Sequence, residues 1–386
     1  MAAKTLSPLE MIRKLVGFDT TSRESNLALI EFARDWLDGF GVKSELVFDE
    51  TKRKANLYAT LGPEDKSGIL LSGHTDVVPV DGQDWHSDPF KATEKDGRLY
   101  ARGSSDMKSF IAVALALVPD FLAAKLKTPI HLGLTYDEEV GCLGVRPLIA
   151  ALAKRKVKPR LCIIGEPTSM QPVIANKGKR SYVCRVHGHE AHSSLTHAGV
   201  NAVETAAEIV AYLKGMARRR RDKGPFDQAF VPPYTTIHTG TIQGGTALNI
   251  VPRDCRFEFE IRNLPGEDPG DIRAEFERHA KTLLAEMQAV SRDAKIEFDE
   301  YNATPALSAE PGEEVVQLAR ALSGANSTGK VSFTTEGGLY QEAGIPTVIC
   351  GPGSIEQAHK PDEFVALDQL GQCEGFMRRL MERAAQ

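Results

Sequence analysis

The sequence predicts an α/β protein with a second, smaller α+β domain inserted into it. Short apolar runs alternate with helical patterns through the first half of the chain, and the middle reads strand, helix, two strands, helix, strand. The length of 386 residues exceeds what one ordinary core organises, so two domains are expected. The elements follow in order. Apolar residues recur at helical spacing from Leu9 to Val16 and from Leu27 to Phe40. The runs Ile69 to Leu71, Ile130 to Tyr136 and Leu161 to Ile164 each stop at a glycine or a polar cluster, as strands do on reaching a loop. Helical stretches, Ser109 to Ala124 and Val145 to Ala153, lie between them, which implies a central mixed, largely parallel sheet. Further on, Arg180 to Val186 alternates like a half-buried strand, and Asn201 to Met216 is a helix. Thr235 to Ile242 and Asn249 to Ile261 are strands, the second with Cys255, Phe257, Phe259 and Ile261 on one face. Asp271 to Gln288 is a helix and Lys295 to Tyr301 a strand. That order is a ferredoxin-like α+β sandwich, expected to occupy 181–302, with the first domain formed by 1–180 and 303–386.

Composition narrows the function. Hydrophobic residues make up 42% and charged residues 26% of the chain, as in a soluble globular protein. A net charge of -5 argues against nucleic acid or an anionic membrane surface as partner. No run approaches the roughly 20 apolar residues of a membrane helix, and the first residues carry no apolar signal core. Six cysteines stand singly, some within apolar runs such as Leu161 to Ile164, which fits buried thiols of a cytoplasmic protein. The basic run Arg218 to Arg221 reads as a solvated segment after a helix. The segment Gly324 to Lys330 matches the first part of a phosphate-binding loop, but Val331 stands where that loop needs Ser or Thr, and the segment follows a helix rather than a strand.

Chemistry-bearing residues collect where strands end, which is where open α/β sheets place their ligands. His74 and Asp76 follow the run Ile69 to Leu71 and, on extended backbone, point to the same side. Asp76 can orient an imidazole ligand; a surface histidine beside a turn aspartate is the ordinary alternative. Asp106, in Arg102-Gly103-Ser104-Ser105-Asp106-Met107-Lys108, precedes a long apolar helix and reads either as its N-cap or as a carboxylate bridging two cations. Asp137, Glu138 and Glu139 form an acidic triplet that cations or solvent must relieve. Glu166 ends another strand, and His359 lies in Gly351 to Glu363 after the apolar run Pro346 to Cys350. Each has an ordinary explanation alone. Five such segments together, with histidines and carboxylates but no cysteine ligand, are the donor chemistry of hydrolytic zinc, cobalt or manganese.

These five segments resemble the M20 family of metallopeptidases and deacylases, over essentially the whole chain. The resemblance implies a zinc-exopeptidase-like catalytic domain, an inserted dimerisation domain and two divalent metal ions, zinc with cobalt as an alternative. It implies that His74 and Glu166 ligate one ion, Glu139 and His359 the other, and Asp106 both, with a cis peptide bond after Asp106. Asp76 is implied as the orienting carboxylate and Glu138 as the general base. His192, in Gly188-His189-Glu190-Ala191-His192-Ser193-Ser194, is implied to complete the site of a partner subunit, with His189 and His197 as nearby alternatives. Asn249 and Arg262 match substrate-contacting positions, although a strand-end ion pair also accounts for Arg262. Glu336 is a candidate partner for a substrate ammonium or a cap of the following helix. Within the family, Cys350 to Glu363 and Gly244 to Asn249 point to removal of the acetyl group from N2-acetyl-L-ornithine. Desuccinylation of succinyl-diaminopimelate, aminoacylase or dipeptidase activity, and a non-catalytic metal-binding interaction protein are the competing expectations. The expected partners are a small N-acyl amino acid and a second copy of the chain, with neither nucleic acid nor membrane.

Overall fold

The structure is a computed structural model that describes residues 5–386. The chain divides into two compact units. The first comprises Met1–Ala175, Leu307–Lys330 and Thr335–Gln386; the second comprises Asn176–Ala306 and Val331–Thr334.

The first unit is built on a sheet whose main strand order is Ser44–Phe48, Ala55–Leu61, Ile130–Thr135, Ile69–His74, Leu161–Pro167, Thr347–Gly351, Val173–Asn176 and Leu307–Ser308. The four from Ile130–Thr135 to Thr347–Gly351 run parallel, while Ser44–Phe48, Ala55–Leu61 and Val173–Asn176 join antiparallel. Every residue of those four parallel strands is buried, which is why they read as unbroken apolar runs rather than as alternation. Being parallel, they deliver their C-terminal ends to one edge.

The helix Lys108–Ala116 is buried along its whole length and packs against Pro8–Val16, Leu367–Ala385 and the strand Ile69–His74. A Cβ on Gly165 would lie 1.9 Å from the ring of Phe110, so the helix sits this close to the sheet only over a glycine. The helix expected over Ser109 to Ala124 is divided in two, Lys108–Ala116 and Val118–Ala123, because Pro119 has no N–H to continue the ladder and starts a new first turn instead. A small sheet pairs Phe364–Ala366 with Arg98–Tyr100 and that with Thr93–Lys95, tying the segment after His359 to the segment before Asp106.

The second unit is a four-stranded antiparallel sheet in the order Thr236–Gly244, Asp254–Arg262, Lys179–His187, Lys295–Thr304, with the helices Ala202–Lys223 and Pro269–Val290. This is the ferredoxin-like order. Phe257, Phe259 and Ile261 on one face of Asp254–Arg262 join Tyr182, Ile209, Leu213 and Phe276 in its core. Two expectations are corrected. Asn249 to Ile261 is not one strand: Pro252 interrupts it, so Ile250–Val251 pairs with Ala191–His192 and the long strand begins at Asp254. The helix expected to end at Met216 runs to Lys223 and stops at Gly224 (φ 75°), so Arg218 to Arg221 lie within it. Arg219 and Arg220 pair with Glu275 and Arg221 with Asp222, so these three guanidiniums have partners within the chain.

All six cysteines are buried and free. Among the described residues, no helix is long and apolar enough to cross a membrane.

Candidate metal centre

His74 is the last residue of its central strand and is 1% exposed. Its Nδ1 lies 2.9 Å from the backbone carbonyl oxygen of Asp76, which as an acceptor fixes the ring with the proton on Nδ1. The carboxylate of Asp76 stands farther off, at 3.5 Å from Nδ1. Its two oxygens accept from Ser22 Oγ (2.7 Å) and from the backbone N–H groups of Glu138 (3.1 Å) and Glu139 (3.3 Å). Asp76 therefore faces His74 with both its main-chain carbonyl, the nearer, and its carboxylate, and holds the acidic loop through its side chain. That loop leaves the strand Ile130–Thr135 with Asp137 at φ 55°, and Lys54 forms an ion pair with Asp137.

Asp106 lies between the two histidines. Its Oδ1 is 3.0 Å from His74 Nε2, and its Oδ2 is 3.4 Å from His359 Nε2. Glu166 Oε1 lies 3.7 Å from His74 Nε2 and Glu139 Oε2 lies 3.1 Å from His359 Nε2. The peptide bond after Asp106 is cis. The loop carrying Asp106 is anchored by Glu363, a 1% exposed carboxylate that accepts from the backbone N–H groups of Gly103 (3.1 Å), Ser105 (2.8 Å) and Asp106 (3.0 Å). Glu363 was not among the residues singled out from the sequence. Its only signal there was its place in the His359 segment, and its partners are some 260 residues away.

Glu138 is adjacent: one ligand atom each from His74, Glu138 and Glu166 fall within 4.8 Å of one another, as do those of His74, Asp106 and Glu139. Cys142 Sγ donates to Glu138 Oε1 at 3.4 Å. Burial, with the neighbouring Glu139 and Asp106, pushes the Glu138 carboxyl well above the ordinary range, and burial with Asp106 does the same to Glu166. Hydrogen bonds to Asp106 and Glu139 take His359 up to about 10. Burial and anionic crowding act together: four carboxylates (Asp106, Glu138, Glu139, Glu166) share the space with two imidazoles.

The donor set fits a pair of divalent cations. Tetrahedral ligands about 2.0–2.1 Å from zinc stand about 3.3 Å from each other, and the separations of 3.0 and 3.7 Å around His74 and of 3.4 and 3.1 Å around His359 bracket that value. Glu166 Oε1 is buried without a hydrogen-bond donor, an arrangement a cation would relieve. Two divalent charges would balance the four carboxylates.

The remaining candidates fall in two places. Glu336 is in the first unit, 1% exposed, with Oε2 3.5 Å from Ser72 Oγ, and burial pushes it up to about 7. It precedes the helix Gly337–Glu342 but makes no side-chain cap to it. His192 and Asn249 are in the second unit, where the ribbon of Ala191–His192 and Ile250–Val251 brings them together: the Ser193 N–H donates to the Asn249 carbonyl at 3.1 Å, and exposed His192 pairs with Ser194 Oγ at 2.8 Å. His189 is tied by its backbone to Val200, and His197 lies in the short 3₁₀ segment Ser193–Ala198. Arg262 ends the strand Asp254–Arg262, roughly 25 Å of extended chain beyond Asp254, and its Nε donates to Glu260 Oε1 at 2.8 Å. Within this unit Arg262 and Asn249 are thus not brought together.

Comparison with known proteins gives the family. The chain is 35% identical over 386 residues to the acetylornithine deacetylase of Pasteurella multocida, covering 98% of each. It is 36% identical over 384 residues to that of Proteus mirabilis, covering 97% of this chain and 96% of the relative. An M20 family metallo-carboxypeptidase from Sulfolobus solfataricus shares the fold at a TM-score of 0.77 and 19% identity, over 98% of this chain and 99% of that one. Residues 70–383 match the model of peptidase family M20/M25/M40, and the chain belongs to that family.

Proposed function

We propose that the chain is a dinuclear metal-dependent amidohydrolase that converts N2-acetyl-L-ornithine and water to L-ornithine and acetate, a step of arginine biosynthesis in the cytoplasm. The observation that carries the reading is Asp106, whose two oxygens face two different histidines, with Glu138 beside them. The substrate follows from the nearly full-length similarity to acetylornithine deacetylases, and the compartment suits six unpaired thiols.

His74 and Glu166 would hold one ion, His359 and Glu139 the other, and Asp106 both; zinc suits the donors, with cobalt as the alternative. When bound, the ions would supply a Lewis acid for the acyl oxygen and lower the pKa of a water toward neutrality. Glu138, kept basic enough by its burial and its anionic neighbours, takes the proton of the attacking water and passes it to the leaving amine. Asp76 holds the Glu138 backbone, so the base is presented at a fixed place. His192 is assigned to the tetrahedral oxyanion, and Arg262 with Asn249 to the substrate carboxylate, which suits a guanidinium fork. Because Arg262 and Asn249 stand at opposite ends of the second unit, His192 and Asn249 are assigned to the site of a second copy in a homodimer. Glu336 is the candidate for the ornithine side-chain ammonium.

The test is an amidohydrolase assay on N-acetylornithine, N-succinyl-diaminopimelate, other N-acyl amino acids and dipeptides, before and after chelation. N-acetylornithine should give the highest kcat/KM, and activity should vanish with the metal and return on adding zinc. Preference for another substrate would displace the acetylornithine reading, and full activity after chelation would end the metal mechanism. Glu138→Ala should lose about 10²–10⁴-fold in kcat while still binding metal. Mixing inactive His192→Ala and Glu138→Ala chains should restore part of the activity; no recovery would refute a site shared between copies.

A further inference from the structure

The ligand loops of Asp106 and His359 are joined by side chains with no place in the mechanism above. Glu363 Oε1 accepts from the N–H groups of Ser105 (2.8 Å) and Asp106 (3.0 Å), and its Oε2 accepts from Gly103 N–H (3.1 Å) and Arg102 Nη1 (2.7 Å). Arg102, itself 1% exposed, also donates Nη1 to the Lys360 carbonyl (3.3 Å) and Nη2 to Gln83 Oε1 (2.6 Å). Gln83 closes the circuit by donating Nε2 to the carbonyl of His359 (3.0 Å), and Trp85 covers the guanidinium at 5.1 Å. One carboxylate therefore fixes the backbone of one metal-ligand loop, while the guanidinium and the amide fix the other.

The His359 loop needs such support. His359 has φ 63° and Asp362 φ 55°, both in the left-handed region, and the His359 side chain is 53% exposed. No strand carries His359, whereas His74 ends a buried central strand and draws its orientation from Asp76. Removing the circuit should therefore affect the two sides of the centre unequally.

We propose that Arg102, Glu363 and Gln83 are positioning residues that set the reach of His359 toward Asp106, and thereby tune the affinity of the His359 side of the centre for its cation. This rests on the two-metal reading above. The buried pair also lets Glu363 serve as an anchor without adding an uncompensated anion to a crowded site.

The experiment is a two-step zinc titration of chelator-stripped protein against a chromophoric chelator, with His359→Ala marking which step belongs to His359. Glu363→Gln keeps one acceptor oxygen for the Ser105 and Asp106 N–H groups but loses the charge opposite Arg102. It should weaken the His359 step by about 10–100-fold and the His74 step, which shares Asp106 but keeps the strand-borne His74, by a clearly smaller factor. Glu363→Ala should weaken the His359 step further. Gln83→Ala, at a half-buried loop position, should weaken the same step severalfold without lowering the melting temperature, and it decides the matter if the Glu363 variants do not fold. Unchanged affinities in Glu363→Gln and Gln83→Ala, or equal weakening of both steps, would overturn the proposal. Wild-type protein that takes up fewer than two ions would instead overturn the metal reading on which it stands.

Discussion

Replacing Asp76 by Asn probes the link between the fold and the acidic loop. The carboxylate receives three donors, Ser22 Oγ at 2.7 Å and the Glu138 and Glu139 N–H groups at 3.1 and 3.3 Å. Asparagine offers one acceptor oxygen and turns an NH₂ toward at least one of these donors. A hydrogen bond to a charged group contributes about 1.5–3 kcal/mol, and water can reach part of the loop, so the net loss should be about 2–3 kcal/mol. At about 2–4 °C per kcal/mol for a unit of this size, the melting temperature should drop by about 4–12 °C. The His74 orientation should largely survive, because its Nδ1 bonds to the Asp76 main chain, which the substitution leaves in place. Turnover should fall by about 10–100-fold, mainly in kcat, since the backbone of Glu138 and Glu139 is what loses its anchor. Calorimetry and steady-state kinetics on the same preparation read both numbers. A melting shift under 1 °C with kcat within twofold of wild type would refute the anchoring role.

Three further outcomes follow from buried groups. Burial, with a smaller push from Arg155, takes His131 down to about 4, so its ring is neutral in the fold. The unfolded chain titrates near 6.5 and binds the extra proton first, so stability should fall by about 3 kcal/mol as the pH drops from about 6.5 to 4; urea unfolding of His131→Gln should show a pH slope flatter by that amount, and equal slopes would refute it. Gly165→Ala places a Cβ 1.9 Å from the Phe110 ring and should cost about 1–3 kcal/mol in chemical denaturation, with an unchanged midpoint counting against that packing. The cysteines are all buried and burial raises their thiol pKa values, so a thiol reagent should titrate none in the native state and all six after unfolding; one stoichiometric native thiol would contradict the burial.

The parallel strands were legible because burial on both faces leaves an apolar run, and the residue ending each run is where its ligand or ligand loop starts. The edge strand Ser44–Phe48 was not, since its half-exposed side chains give neither a run nor clean alternation. Pro119 and Pro252 broke elements that hydropathy joined, because hydropathy does not register a missing N–H. In the site, His74, Asp106, Glu139 and His359 could be picked out by residue type and position. The division of labour in Asp76, whose main-chain carbonyl lies nearer His74 than does the carboxylate that also holds another loop, is a matter of distances that spacing does not encode. In the sequence Glu363 is only the last residue of the His359 segment; its burial depends on Arg102, which only the tertiary fold brings to it. The separation of Arg262 from Asn249 likewise became visible only once the strand between them had a direction.

In the proposed centre Asp106 would bridge two cations. Diffraction from zinc-loaded crystals on either side of the zinc absorption edge tests it directly. Two anomalous peaks should appear roughly 3.5–4 Å apart, one beside His74 and Glu166, the other beside His359 and Glu139, with one Asp106 oxygen at each. A single peak, or two peaks with Asp106 bound to neither, would contradict it.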